Sequence, residues 1–127
     1  MTMKLAFALT ATTLIAMAAS LPAQAQAQAP DGATIFRMRC GSCHTVVPAG
    51  RAVLGPNLSG VVGRKAASTT FNYSPALKAS GLTWTRANLD RYIAAPSRMV
   101  PGTRMVIAVS DAAQRAALLN FLTRPAR

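Results

Sequence analysis

A chain of 127 residues is enough for one small domain and leaves no room for a second. Fourteen lysines and arginines stand against three acids, a formal net charge of +11. These basic residues are scattered, so no arm or stripe exists to follow a phosphate backbone; the excess suits an acidic protein face and argues against nucleic acid.

The first 25 residues read as a secretory leader. Met1 to Lys4 is a short positive start, and Leu5 to Ser20 is an uncharged apolar run. Small-x-small cleavage sites follow at Ala23/Ala25 and Ala25/Ala27, the layout of a signal peptide. A retained anchor would want roughly 20 apolar residues, and this run is shorter. Cleavage near 25 or 27 leaves a mature domain over residues 28–127, and loss of Lys4 takes the net charge to +10.

In the mature part Asp31 is placed to cap a first helix over residues 32–40, on which Ile35, Phe36 and Arg39 fall at helical spacing. Phe36 is the expected core anchor. Residues 45–68 are rich in Gly and Pro and read as loop. Ser74-Pro75 then starts a short helix over 75–80, closed by Gly81. Thr85 caps another over 86–94, stopped by Pro96, with Leu89, Tyr92 and Ile93 on one face. Ser110 or Asp111 caps the last helix, which runs to about Thr123 with Leu118, Phe121 and Leu122 as its buried stripe. Only residues 105–109 alternate like a strand. The chain is therefore expected to be all-α, with short helices, long loops and an apolar core too thin to close on its own. A buried prosthetic group would complete it.

Cys40-Gly-Ser-Cys43-His44 holds the chain's two cysteines and its one histidine. C-x-x-C-H is the attachment string of c-type haem: on a turn of helix the two thiols project to one side and can each bond a vinyl group, while the histidine brings a ring nitrogen under the iron. With no other histidine available, the proximal ligand of a bound haem is His44. A zinc site would need further Cys or His ligands, which the chain lacks. A thioredoxin-like pair would sit at a helix N-terminus, whereas this one ends a helix. A structural disulfide between residues three apart would close almost no loop. The sixth iron position is open to Met99 or Met105; Met38 lies too near the string to cross to the other haem face.

Further segments follow in order: residues 54–64 (L-G-P-N-L-S-G-V-V-G-R), Tyr73, residues 81–84 (G-L-T-W), 92–96 (Y-I-A-A-P) and 101–105 (P-G-T-R-M). Together with C-G-S-C-H the set resembles the mitochondrial cytochrome c and bacterial cytochrome c2 group of class I cytochromes, over essentially the whole mature chain. The resemblance implies a small all-α fold wrapped round one covalent haem c, with the first and last helices crossing where Gly32 and Phe36 meet Leu118 and Phe121. It implies that Met105 is the axial partner of His44, and that the Pro56 carbonyl orients His44. It places Tyr92 beside the methionine sulfur, and Arg64, Tyr73, Trp84 and Thr103 around the inner propionates. Arg39 and Arg104 match the basic rim of the haem edge. Three positions depart: Leu77 replaces a usual asparagine, Ile107 a phenylalanine and Ser97 a lysine.

On this reading the protein is a monomeric, periplasmic carrier of single electrons rather than an enzyme. Its partners are acidic faces of redox proteins or of membrane respiratory or photosynthetic complexes. A ligand-binding haem protein, a dedicated dehydrogenase subunit and a haem-free dithiol oxidoreductase are the alternatives.

Overall fold

The computed structural model describes residues 30–124, so the expected leader lies outside the described residues. Five helices follow one another: α1 (Gly32–Arg39), α2 (Pro75–Ala79), α3 (Arg86–Ala94), α4 (Pro96–Met99) and α5 (Ala112–Leu122). Among the described residues the only β pairing is an isolated bridge between Lys65 and Thr83. The all-α expectation holds.

Four helices begin behind a side-chain cap, each satisfying an amide that the first turn leaves unpaired. Asp31 accepts from the Thr34 amide at 2.9 Å, which holds its carboxyl below the ordinary value. Ser74, Thr85 and Asp111 accept from the amides of Leu77, Asn88 and Gln114 at 3.2, 3.1 and 2.8 Å. Asp111 rather than Ser110 is therefore the cap of α5. Gly81 follows α2 at φ +63°, the left-handed turn that ends a helix. Pro96 does more than stop α3. Having no amide hydrogen, it fits the first position of α4, so the chain turns a corner and helix resumes at once.

Helix α5 packs on both α1 and α3, and α3 also packs on α4. Phe36 is buried in the core as expected, at 7 % exposure, and Ile35 beside it is sealed more completely, at 2 %; the stripe of α5 differs from the sequence pattern. On α5, Leu119 is buried with Leu118 and Leu122, whereas Phe121 is half-buried and sets its ring 5.5 Å from that of Phe36. Two neighbours press on opposite flanks of α5, so its buried arc is wider than a single stripe.

Residues 105–109 do not form a strand. No second strand lies alongside among the described residues; Val109 alone bonds across, its amide donating to the Ile93 carbonyl at 2.9 Å.

The long loop between α1 and α2 is held by side chains. Asn57 donates to the carbonyls of Val47 and Gly50, and Arg64 to those of Asn57 and Ser59. Ala49, exposed in this loop, has φ +55°, where a Cβ is strained. Relief of that strain exceeds the flexibility glycine adds, so Ala49→Gly should raise the unfolding free energy by about 0.5 kcal/mol in a denaturant titration. No helix among the described residues is long and apolar enough to cross a membrane.

Candidate functional site

The apolar side chains that ought to close a core instead surround a cleft of about 320 Å³. Val61, Leu77, Leu89, Ile93, Leu118 and Leu122 are buried from solvent, yet all six line it. A second hollow of about 360 Å³ lies between the 48–50 turn and Thr69–Phe71. It shares Arg64 and Phe71 with the cleft but touches neither cysteine, nor His44, nor Met105, so the chemistry belongs to the cleft.

Cys40 is the C-cap of α1, its amide donating to the Phe36 carbonyl at 2.8 Å. The chain then turns on itself. The amides of Cys43 and His44 both donate to the Cys40 carbonyl, at 3.0 and 2.8 Å, and all three side chains line the cleft. Both cysteines are free thiols. Burial pushes the Cys40 thiol up to about 11; Cys43 adds to the rise and Arg39 opposes it. A thiol held neutral at the C-terminal end of a helix is the reverse of the activated thiolate a dithiol oxidoreductase needs.

The imidazole of His44 is fixed from two sides. Its Nδ1 lies 2.7 Å from the Pro56 carbonyl oxygen. A carbonyl only accepts, so Nδ1 carries the proton and Nε2 keeps its lone pair free for a metal. Gly55 presses on the same ring: a Cβ there would lie 2.5 Å from Cε1 and 2.8 Å from Nδ1. Gly55 stands within the 54–64 segment, but no pattern in the chain gives it a role; only the approach of the ring shows why the residue has no side chain.

Of the three methionines described, Met105 alone lines the cleft. Met99 packs into the core at the end of α4, and Met38 is 72 % exposed. The hydroxyls of Tyr92 and Thr103 share a hydrogen bond of 2.5 Å, and the Met105 amide donates to the same Thr103 oxygen at 3.4 Å. Burial raises the Tyr92 phenol above its ordinary value, the Thr103 bond partly opposing it, so Tyr92 stays neutral. The Tyr92 ring lies 4.9 Å from that of Trp84.

Arg64, Tyr73, Trp84 and Thr103, expected on one side of a bound group, all line the cleft. The Tyr73 hydroxyl lies 2.6 Å from the Thr69 hydroxyl, and Arg64 points two nitrogens at loop carbonyls. Buried Ser74, the cap of α2, is a further polar member of the lining. At the mouth, exposed Leu54, Val106 and Ile107 lie among Arg39 and Arg104. Gly32 allows the close crossing of α1 and α5. A Cβ there would collide with the backbone carbonyl of Ala117 and come within 2.7 Å of Phe121 Cβ.

Two thiols, an imidazole with Nε2 free, a thioether and a mostly apolar wall fit a haem joined covalently to the chain. Comparison with known proteins agrees. Residues 29–124 match the profile of the family described as Cytochrome c. A cytochrome c2 of Rhodomicrobium vannielii is 42 % identical over 105 residues, covering 81 % of this chain and 83 % of that protein. A cytochrome c of Theileria annulata is 41 % identical over 92 residues, covering 72 % and 80 %. The solved structure of cytochrome cH from Methylobacterium extorquens superposes with a TM-score of 0.66 at 38 % identity, covering 72 % of this chain and 92 % of that one. The haem-attachment string, the cleft behind it and these likenesses converge: the chain belongs to the cytochrome c family, monohaem electron carriers that hold haem c covalently.

Proposed function

We propose that this chain is a periplasmic electron carrier whose haem iron is held by His44 Nε2 and Met105 Sδ. The observation that carries the ligand assignment is that Met105, alone of the described methionines, shares the cleft with His44. The haem, when bound, supplies a one-electron iron couple. Cys40 and Cys43 anchor it as thioethers, and the Pro56 carbonyl with Gly55 orients the imidazole. Held by both His44 and Met105, the iron would offer no place to substrate or oxygen, and the chain would carry electrons and transform nothing. The neutral thioether of Met105 and the apolar wall disfavour the ferric charge and raise the potential. Arg64, Tyr73, Trp84 and Thr103 face the polar edge of the group, and Tyr92 backs the Met105 side chain.

The N-terminal 25 residues direct secretion and are removed near 25 or 27. The mature protein then works as a monomer in the periplasm. Its net charge of +10 steers it to acidic faces of redox proteins or membrane respiratory or photosynthetic complexes. Arg39 and Arg104 surround the apolar mouth at which contact is made.

A visible spectrum of protein matured with haem tests the ligand set. Sharp reduced bands, haem that survives acid-acetone extraction and a ferric sulfur-to-iron charge-transfer band establish it. Covalent haem without the sulfur band would refute Met105 as a ligand. Steering has its own test: the second-order rate of electron transfer to an acidic partner should fall at least tenfold between about 10 and 200 mM salt, as the Debye length shrinks from about 30 to 7 Å. A rate indifferent to salt would refute steering.

A further inference from the structure

The strap that carries Met105 away from the cleft is held by very little. Residues 106–110 form neither helix nor strand, and Val106 and Ile107 are 76 % and 47 % exposed. Upstream of Met105 the strap is pinned at Thr103 by the Tyr92 hydroxyl. Downstream it is pinned at Val109, which is buried and whose amide donates to the Ile93 carbonyl at 2.9 Å. Two guanidiniums supply the remaining hold: upstream, Arg104 Nη1 donates to the Asn72 carbonyl at 2.8 Å, and downstream the hold is Arg115 alone. Arg115 Nη1 donates to the carbonyl of Val109 at 3.0 Å and to that of Ser110 at 2.7 Å. Its Nε donates to Asp90 Oδ1 at 2.8 Å, which fixes the plane of the fork. The Arg115 side chain is only 13 % exposed, against 42 % for Asp90. Asp90 lies on α3, as do Tyr92 and Ile93, so both pins on the Met105 strap trace back to one helix.

We propose that Asp90 and Arg115 act as a positioning pair: they clamp the downstream end of the Met105 strap and set how readily Met105 yields its place on the iron. The inference rests on the ligand assignment above. An exposed ion pair alone is worth little. This one orients a half-buried cation onto two carbonyls of a segment with few other bonds. Releasing it frees residues 106–110 while leaving the α1–α5 crossing and the attachment string untouched. The positioning role therefore concerns local opening, a low-energy event distinct from global unfolding.

The test follows cyanide binding to the ferric holoprotein, in which the Met105 sulfur leaves the iron and the cyanide carbon takes its place with no electron transferred. If strap opening precedes binding, the rate at fixed cyanide scales with the open population. Arg115→Gln should raise it by about tenfold or more, because two hydrogen bonds from a charged donor are lost. Asp90→Asn, at a half-buried position and leaving the arginine in place, should raise it about threefold. Amide exchange at Val109 should accelerate by the same factors, while exchange at the Cys40 amide, which caps the end of α1, stays slow. Unchanged cyanide rates in both variants would overturn the proposal. So would equal acceleration at Val109 and Cys40, which would make the pair a general stabiliser. If Arg115→Gln does not fold, Asp90→Asn decides alone. A wild-type protein without the sulfur-to-iron band would overturn the ligand assignment together with this inference; a normal band with unresponsive variants overturns the inference only.

Discussion

Met105→Ala should yield a protein that still holds its haem covalently but has lost the sulfur-to-iron band entirely. On the proposed assignment attachment would depend on Cys40 and Cys43, and the His44 ring is oriented by the Pro56 carbonyl, all on one side of the cleft. The strap side supplies the thioether alone. With that ligand gone the ferrous protein should bind carbon monoxide at neutral pH, which the wild type should not. The midpoint potential should fall by on the order of 0.1 V, a modest part of the ~0.8 V range that axial ligands span. Tyr92 and Thr103, both in the cleft lining, remain bonded to each other, so that part of the wall persists. A variant that keeps the band would show that another residue ligates the iron. Stability should fall too, by about 2–5 kcal/mol, because truncating a methionine against the core leaves a hole.

The second large effect concerns the fold alone. By helix propensity, Gly32→Ala should stabilise α1 by about 1 kcal/mol. The tertiary contact reverses the sign. The added methyl would collide with the Ala117 carbonyl, which is helix backbone and cannot rotate away, and would lie 2.7 Å from Phe121 Cβ. Helices α1 and α5 would have to separate, loosening Ile35, Phe36 and Leu118. We expect a loss of about 3 kcal/mol, the upper part of the range for overpacking. For a domain of this size that lowers Tm by roughly 12–24 °C. Gly60→Ala is the control. It stands at φ +63° with nothing within 4 Å, so its cost should be limited to backbone strain of about 1–2 kcal/mol. Equal losses in the two variants would mean that the crossing is looser than the structure shows.

Much of the local architecture was legible before any coordinate. Asp31, Ser74, Thr85 and Asp111 announced their helices because a cap acts on an amide three residues away, within reach of a pattern in the chain. The cleft's attachment side was legible for the same reason: Cys40, Cys43 and His44 are brought together by one turn, so their spacing in sequence is nearly their spacing in space. The alternation in residues 105–109 misled because a strand is defined by its partner. The chain offers that segment one carbonyl of α3 and a guanidinium of α5 instead of a second strand.

From the sequence by itself came the all-α class, the capped starts of the helices, the haem-attachment string and the strongly basic charge. Each is a property of residues a few positions apart or of composition summed over the chain. Residues 101–105 singled out Met105 through the family resemblance, but only the tertiary structure shows Met105 lining the cleft with His44 while Met99 packs into the core, because that depends on where their loops pack. It alone set Gly55 against the His44 ring, Leu119 into the second flank of α5, and Arg115 across to Asp90, 25 residues away. Those contacts arise from how α5 lies between α1 and α3, and short-range periodicity records which face of a helix is apolar but not which neighbours will press on it.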